Sequence, residues 1–163
     1  MKVYISLGSN LGDRAAYLLL GVRGMMDAGL PVKRLSNIYE SEPVETFPQP
    51  NFLNMIAEVA GDQLPEPEPM MARLLRIEYA LGRKRELAKG PRVIDLDLLL
   101  YGDRLNKSEL LILPHPRLHL RRFVLQPLAE LAPDLIHPTL GDTVATLLES
   151  VDDSSHLQRW PKK

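Results

Sequence analysis

The chain is predicted to fold as an α+β sandwich in which two helices pack on one antiparallel sheet, with the element order βαββαβ. Three observations predict this class. Four short segments of alternating or continuous apolar residues are typical of strands. Two longer segments with helical spacing lie between the first and second strands and between the third and fourth. Gly, Pro and Asn residues separate these segments and mark the turns.

The first half of the chain supplies a strand, a helix and a second strand. The first strand is predicted over residues 3–7, and the turn after it ends at Asp13, a residue type favoured at helix N-caps. The helix is predicted over residues 14–27, and Gly29 follows as a C-terminal stop. The second strand is predicted over residues 32–41. The proline-containing segment 42–51 is predicted to be a loop.

The second half completes the order with a strand over residues 52–60, a helix over 70–81 and a strand over 93–101. Pro69 fits the first turn of that helix. Two short helices are expected near residues 123–131 and 143–150. The order βαββαβ matches a ferredoxin-like sandwich, here with extra C-terminal helices. The third strand is predicted to place Leu53, Met55, Ala57 and Val59 on one face and Phe52, Asn54, Ile56 and Glu58 on the other.

Length and composition restrict the class of protein. The 163 residues suffice for one domain with a sizeable core, so a single domain over residues 1–163 is expected. Lys and Arg total 20 against 21 Asp and Glu, which argues against a nucleic-acid or membrane-surface binder. The absence of cysteine excludes disulfides, thiolate metal sites and a cysteine nucleophile. With no signal peptide or membrane span in evidence, we expect a cytoplasmic protein, and a monomer.

Two carboxylates lie on the fourth predicted strand. Asp95 and Asp97 share one face of it, about 7 Å apart, because alternate strand residues point the same way. Neighbouring anions on a largely buried strand repel unless a cation lies between them, and Mg²⁺ or Mn²⁺ suits such oxygen ligands. The alternative is that both carboxylates face solvent or pair with arginine. The opposite face is predicted to be apolar and to consist of Ile94, Leu96, Leu98 and Leu100.

Glu78 supports the metal interpretation. At 100° per residue it falls within the apolar side of the helix at 70–81, between Leu74 and Met71. A carboxylate on the core-facing side of a helix needs a partner. Near the helix C-terminus the helix dipole disfavours a negative charge, so a nearby cation would stabilise it. The alternative is that Glu78 lies at the edge of the apolar side and pairs with Arg76 or Arg83.

A basic segment, residues 82–92, follows this helix and includes Arg83, Arg85 and Arg92. Basic residues beside a two-carboxylate site are typical of phosphoryl transfer, where arginine stabilises the developing charge on the phosphate. The alternative is a solvated run of charges. No G-x-x-x-x-G-K-[ST] sequence occurs, so a P-loop enzyme is not expected.

A second basic group includes His115, His119 and Arg121. The two histidines are four residues apart, as in a helical metal pair, but Pro114 and Pro116 argue against a helix at this point. We therefore expect phosphate or nucleotide contacts, with a structural loop histidine as the alternative.

Phe52 and Asn54 share a strand face beside the proline-containing loop. An aromatic ring and a neighbouring amide can stack on a planar heterocycle and hydrogen-bond to it. Such pairs are also common in cores, so the pattern by itself is weak.

Six segments carry a resemblance to a known family. They are residues 4–13, 39–43, 51–54, 82–83, 90–101, which contains Gly-Pro-Arg-Val-Ile-Asp-Leu-Asp, and 114–117. Together they resemble the 6-hydroxymethyl-7,8-dihydropterin pyrophosphokinases of folate biosynthesis, from the N-terminus to about residue 138. The resemblance implies a ferredoxin-like catalytic domain. It also implies transfer of pyrophosphate from ATP to the hydroxymethyl oxygen of the pterin, with release of AMP.

The resemblance also implies roles for individual residues. Asp95 and Asp97 match the ligands of two Mg²⁺ ions, and Arg83 and Arg92 match the catalytic phosphate clamps. The ATP site would include Glu78, Arg85, Leu98, Leu111, Ile112, His115 and Arg121. The pterin site would include Ser41, Pro43, Val44, Phe52, Asn54 and Phe123, with the two phenylalanines on either side of the ring and Asn54 at its amide-like edge.

Two other functions remain open on the residues alone. The basic groups also suit a non-catalytic nucleotide or RNA-binding module, although no aromatic RNA-binding sequence of the G-F-x-F kind is present. The carboxylates also suit a metal-dependent phosphohydrolase, which would release phosphate from ATP without a pterin.

Overall fold

The computed structural model describes residues 1–43, 48–82 and 91–161. Within these residues the fold is a mixed α/β arrangement with an antiparallel sheet and four α-helices. The strands are β1 (Lys2–Ser9), β2 (Val32–Leu35), β3 (Ile38–Ser41), β4 (Phe52–Ala60), β5 (Asp95–Tyr101), β6 (Asn106–Lys107), β7 (Ile112–Leu113) and β8 (Leu157–Trp160). The helices are α1 (Arg14–Asp27), α2 (Pro67–Ala80), α3 (Arg122–Leu131) and α4 (Val144–Ser150), with a 3₁₀ turn at Leu118–Leu120.

The main sheet has the order β5-β1-β4-β3-β8, and β2 also pairs with β4. Helices α1 and α2 contribute to an apolar core that includes Leu18, Met25, Met70 and Leu74. Helices α3 and α4 contribute to a second core, which includes Leu125 and Leu128 and packs on the opposite face of the sheet. The sheet therefore lies between two helical layers.

Several predicted elements are confirmed. Helix α1 has the predicted bounds, and the side chain of Asp13 caps it by accepting a hydrogen bond from the N–H of Ala16, with an N···O distance of 3.2 Å. Strand β4 also has its predicted bounds. Its alternation is confirmed too, since Leu53 and Met55 belong to the α1/α2 core whereas Ile56 belongs to the α3/α4 core.

Other element bounds differ from the prediction. The strand predicted over residues 32–41 is divided into β2 and β3 at Ser36. The hydroxyl oxygen of Ser36 accepts a hydrogen bond from the N–H of Ile56 at 2.8 Å. At the break between the two strands, a side-chain oxygen thus serves as the acceptor for a backbone amide of β4. Helix α2 starts at Pro67 rather than residue 70, because prolines are tolerated in the first helical turn. Strand β5 starts at Asp95, two residues later than predicted.

The prediction for Leu100 is wrong. The pairing of β1 with β5 shifts by one residue, so Tyr4 pairs with Leu100 and Ile5 with Leu98. A β-bulge of this kind reverses the side-chain alternation beyond it. Leu98 consequently lies in the α1/α2 core, whereas Leu100 lies in the α3/α4 core.

The sequence pattern did not predict β6, β7 or β8. Strands β6 and β7 form a small separate hairpin, and β8 pairs with the edge of β3. Among the described residues, no helix has the length and apolar composition needed to cross a membrane.

Candidate active site

A cavity of about 310 Å³ opens on the sheet face beside the first turn of α3. Its walls come from β1, β3, β4 and β5, from α2, and from the segment that runs from His115 into α3. Ten predicted site residues line it together: Ser41, Phe52, Asn54, Glu78, Arg92, Asp95, Asp97, His115, Arg121 and Phe123. Residues far apart in the sequence therefore meet at one place.

The floor of the cavity is built by strand register. Gly8 in β1 pairs with Asp95 on one side and with Asn54 on the other. Ser6 pairs in the same way with Asp97. Directly opposite residues of an antiparallel pair share a face, so the two carboxylates and Asn54 point into the same cavity. Gly8 contributes no side chain, and this leaves space between Asp95 and Asn54.

The two carboxylates have different surroundings. A side-chain oxygen of Asp95 lies 3.6 Å from Nη1 of Arg92, so the predicted alternative of pairing with arginine applies to this residue. Asp97 lies beside Ser6 on the cavity floor. In the described part of the chain, no three Asp, Glu, His or Cys side chains are close enough to hold a metal ion by themselves. Two carboxylates nevertheless fit Mg²⁺, which commonly takes its remaining ligands from water and substrate phosphates.

Glu78 is buried, with 2% of its surface exposed, and it joins α2 to β5. Its Oε2 accepts a hydrogen bond from the backbone N–H of Leu96 at 2.7 Å. Strand β5 is the last strand of the sheet path, so this bond ties α2 to the strand that carries both aspartates. Glu78 therefore has a backbone amide as one partner, and the cation expected beside it stays a prediction.

His115 is held in its neutral form. Burial and the nearby charge of Arg121 lower its pKa to about 4, with Arg117 adding to the effect and Asp95 opposing it. Its Nδ1 accepts the N–H of Arg117 at 3.1 Å, while its own backbone N–H donates to the carbonyl of Leu99 at 2.9 Å. The ring proton is therefore on Nε2, where it can be donated to an anionic oxygen.

The other end of the cavity, beside β3 and the start of α3, is aromatic. Phe52 and Phe123 both line it, and the guanidinium carbon of Arg121 lies 5.5 Å from the centre of the Phe123 ring. The Nδ2 of Asn54 donates to the hydroxyl of Ser41 at 2.7 Å, which fixes the orientation of the amide. This end can accommodate a flat heterocycle with polar groups on its edge.

Asn10 connects two segments that flank the cavity, and only 1% of its surface is exposed. Its Oδ1 accepts a hydrogen bond from the backbone N–H of Arg92 at 2.7 Å, and its backbone N–H donates to the carbonyl of Arg92 at 3.0 Å. Its Nδ2 donates to the carbonyl of Pro50 and to the side chain of Gln49, both at 3.0 Å. One side chain thus joins the segment before Phe52 to the segment that carries Arg92.

The remaining predicted residues do not line this cavity. Leu98 and Leu111 are buried in the α1/α2 core. Ile112 is exposed and borders a separate, shallower depression that also touches His115. Pro43 is half-buried outside the cavity lining. Val44, Arg83 and Arg85 lie outside the described residues.

Sequence reasoning missed several lining residues, notably Ser6, Gly8, Leu99 and Arg117. Gly8 had a detectable signal, because a glycine near the end of a strand often marks the close approach of a ligand. Ser6 and Leu99 had none, since only strand pairing and the bulge place them here.

Comparison with known proteins identifies the family. The profile described as 7,8-dihydro-6-hydroxymethylpterin-pyrophosphokinase (HPPK) matches residues 4–133. The 2-amino-4-hydroxy-6-hydroxymethyldihydropteridine pyrophosphokinase of Methylorubrum extorquens is 43% identical over 154 residues, covering 94% of this chain and 95% of that protein. The folic acid synthesis protein fol1 of Pneumocystis carinii is also 43% identical, but the matched region, 93% of this chain, spans only 20% of that protein.

A solved structure agrees in fold. A crystal structure of HPPK-DHPS in complex with substrates superimposes with a TM-score of 0.71 at 14% identity, covering 91% of this chain and 43% of that chain. The likeness at this identity shows the fold alone. The sequence matches extend the assignment from fold to function and confirm the predicted pyrophosphokinase of folate synthesis. The chain belongs to the 7,8-dihydro-6-hydroxymethylpterin-pyrophosphokinase family.

Proposed function

We propose that the cavity transfers pyrophosphate from ATP to the hydroxymethyl oxygen of 6-hydroxymethyl-7,8-dihydropterin, giving AMP and the pterin diphosphate. The observation that carries the proposal is the joining of two unlike ends in one cavity. One end holds Asp95, Asp97 and His115, and the other holds Phe52 and Phe123. A triphosphate and a flat heterocycle suit these ends, and their reacting atoms would meet between them.

The carboxylate end would hold Mg²⁺ together with the triphosphate. Asp95 and Asp97 are the proposed protein ligands, and two ions are expected. Bound Mg²⁺ would neutralise the phosphate oxygens and favour attack at the β-phosphorus. The pairing of Asp95 with Arg92 supports this arrangement, since a guanidinium that pairs with a carboxylate can also pair with a phosphate oxygen.

His115 and the arginines would orient the triphosphate. Neutral His115 donates through Nε2 without adding charge, so it can hold a phosphate oxygen over a wide pH range. Arg92 and Arg121, both at the cavity wall, would stabilise the charge that develops as the bond to AMP breaks. Glu78 would contribute by fixing β5 through Leu96. Arg83, Arg85 and the adenine contacts at Leu98, Leu111 and Ile112 stay predictions.

The aromatic end would hold the pterin. Phe52 and Phe123 would stack on the ring, and the Oδ1 of Asn54 would accept from an N–H on its edge. The Ser41 hydroxyl supports this role because it fixes the amide so that Nδ2 points away and Oδ1 lies above Gly8. Pro43 and Val44 stay predictions for the same pocket. The pterin hydroxyl, held between the two ends, would attack the β-phosphorus in line with the leaving AMP.

We also propose that the architecture is the ferredoxin-like sandwich. The order β5-β1-β4-β3, with antiparallel neighbours and with α1 and α2 in one shared core, supports it. The single catalytic domain over residues 1–163, the monomeric state and the cytoplasmic location stay predictions.

The decisive experiment measures AMP release from Mg-ATP with and without 6-hydroxymethyl-7,8-dihydropterin. The matched control is the 6-methyl analogue, which keeps the ring and lacks the attacking oxygen. AMP and pterin diphosphate should appear together with the hydroxymethyl compound alone. Release of phosphate without any pterin would indicate a phosphohydrolase instead, and ATP binding without turnover would indicate a binding module.

A further inference from the structure

The C-terminal segment beyond the family match contacts β3 and α3, two of the elements that carry residues of the aromatic end of the cavity. The family profile ends at residue 133, and the segment after it contains α4 and β8. Strand β8 pairs with β3 and places Leu157 opposite Ser41. Four residues before Leu157, Asp153 reaches the start of α3, the helix that carries Phe123.

Asp153 caps α3 from outside the helix. The residue at the N-cap position, Arg121, makes no side-chain capping bond. Instead the backbone N–H of Arg122 donates to Oδ2 of Asp153 at 2.9 Å, and Nε of Arg122 donates to the Asp153 carbonyl at 3.1 Å. An amide in the first turn of a helix has no partner within the helix, so an external carboxylate takes the place of the usual cap.

The carboxylate is itself held in one orientation. The backbone N–H of Ser155 donates to Oδ1 of Asp153 at 2.9 Å, and the Ser155 hydroxyl donates to the same oxygen. Burial would raise the pKa of Asp153, but these bonds and those from Arg122 outweigh it and lower the pKa. Asp153 is therefore a fixed anion at physiological pH.

The capped turn carries two cavity residues. Arg121 and Phe123 flank the capped amide of Arg122, and both line the cavity. Their side chains also contact one another through the cation–π pair. We propose that Asp153 is a positioning residue for the pterin site, which it serves by fixing the first turn of α3 and so the Phe123 ring. This inference rests on the proposed function.

The test compares Asp153→Ala with Asp152→Ala. Asp152 is the neighbouring exposed carboxylate, so the control removes the same charge without touching the cap. Asp153→Ala should raise the KM for the pterin about fivefold, the size of effect expected when one helix cap is lost. The KM for ATP and kcat should change less, and Asp152→Ala should behave as wild type.

Two further measurements separate positioning from a general loss of structure. Asp153→Asn should recover part of the pterin affinity, because its one amide oxygen can still accept from Arg122 while its NH2 group cannot accept from Ser155. Trp160, the single tryptophan of the chain, lies in β8, so its emission without substrate reports whether β8 stays on the sheet. Should Asp153→Ala not fold, Ser155→Ala should give a smaller rise in the same KM.

The outcomes distinguish the two proposals. Wild-type protein without pterin-dependent AMP release would overturn the proposed function, and the positioning role with it. An active wild type combined with an unchanged pterin KM in folded Asp153→Ala, or in folded Ser155→Ala where that variant replaces it, would overturn the positioning role alone. An equal rise in Asp152→Ala would also overturn it.

Discussion

Two regions of one sheet face differ although the same strands build both: one region faces the cavity, and the other is packed in the core. At one end, Asp95 and Asn54 face a cavity. Further along the same strands, Leu100 and Ile56 lie in the core beneath α3 and α4. The difference is whether a helix covers the face. Where α3 covers it, burial selects apolar residues, and where α3 begins and leaves it open, polar groups can remain accessible to a ligand.

The bulge in β5 lies at the boundary between these two ends. Before it, Asp95 and Asp97 share the cavity face, and after it, Leu99 and Leu100 both belong to the α3/α4 core. The extra residue increases the apolar area that β5 offers to α3. It also leaves the carboxylate pair at the open end undisturbed.

The largest effect is expected at the open end, from Asp97→Asn. Loss of this carboxylate should lower kcat by about 100-fold or more, because it removes a proposed metal ligand from the reacting phosphates. Stability should hardly change. Asp103→Asn, an exposed carboxylate in the turn after β5, is the matched control and should keep full activity. A folded Asp97→Asn with near-normal turnover would contradict the metal assignment.

In the region that α3 covers, Leu125→Ala should lower stability and leave substrate binding unchanged. Leu125 is fully buried under the sheet, so the substitution should lower the free energy of unfolding by about 3 kcal/mol. Chemical denaturation would measure this change. The KM values of the folded fraction should stay near wild type at low temperature. A large activity loss with little loss of stability would mean that the two ends are not separable.

Gly8→Ala tests whether the space between Asp95 and Asn54 on the cavity floor is needed for the pterin. The added Cβ would lie 3.5 Å from Oδ1 of Asn54 and 3.7 Å from the Phe52 ring, which are ordinary contacts, so the fold should tolerate it. The methyl group would occupy the space between Asp95 and Asn54. We expect the pterin KM to rise about tenfold, since one misplaced methyl in a tight site costs 1–3 kcal/mol. Gly61→Ala, at an exposed position, is the control.

The last effect is confined to acidic pH. The pKa of His115 falls from 6.5 to about 4 on folding, so the unfolded chain gains a proton between these values while the folded chain does not. Stability is therefore complete above about pH 6.5 and decreases towards pH 4. His115→Gln should reduce this slope in denaturation curves recorded across the window. His137, whose pKa is also lowered, should leave a residual slope. An unchanged slope would show that His115 is not buried as a neutral ring.

Much of the fold followed from local pattern. The bounds of α1 and β4 were predicted because a capping aspartate and strict alternation are local signals. The break at Ser36 was not predictable, since it depends on an acceptor for the N–H of Ile56, a residue of another strand. Strand β8 was missed for a similar reason. Its four residues form a strand because β3 offers an unpaired edge.

The candidate site divides in the same way. The sequence by itself determined which candidate residues share a face: Asp95 and Asp97 on one strand, Phe52 and Asn54 on another, and Glu78 on the apolar side of a helix. Only the tertiary structure decided what stands beside them, such as Gly8 between Asp95 and Asn54, and Asp153 at the start of α3. The physical reason is that residue type and spacing fix the direction of a side chain relative to its own strand or helix. Neighbours across strands depend on register, bulges and long-range contacts, which no local pattern encodes.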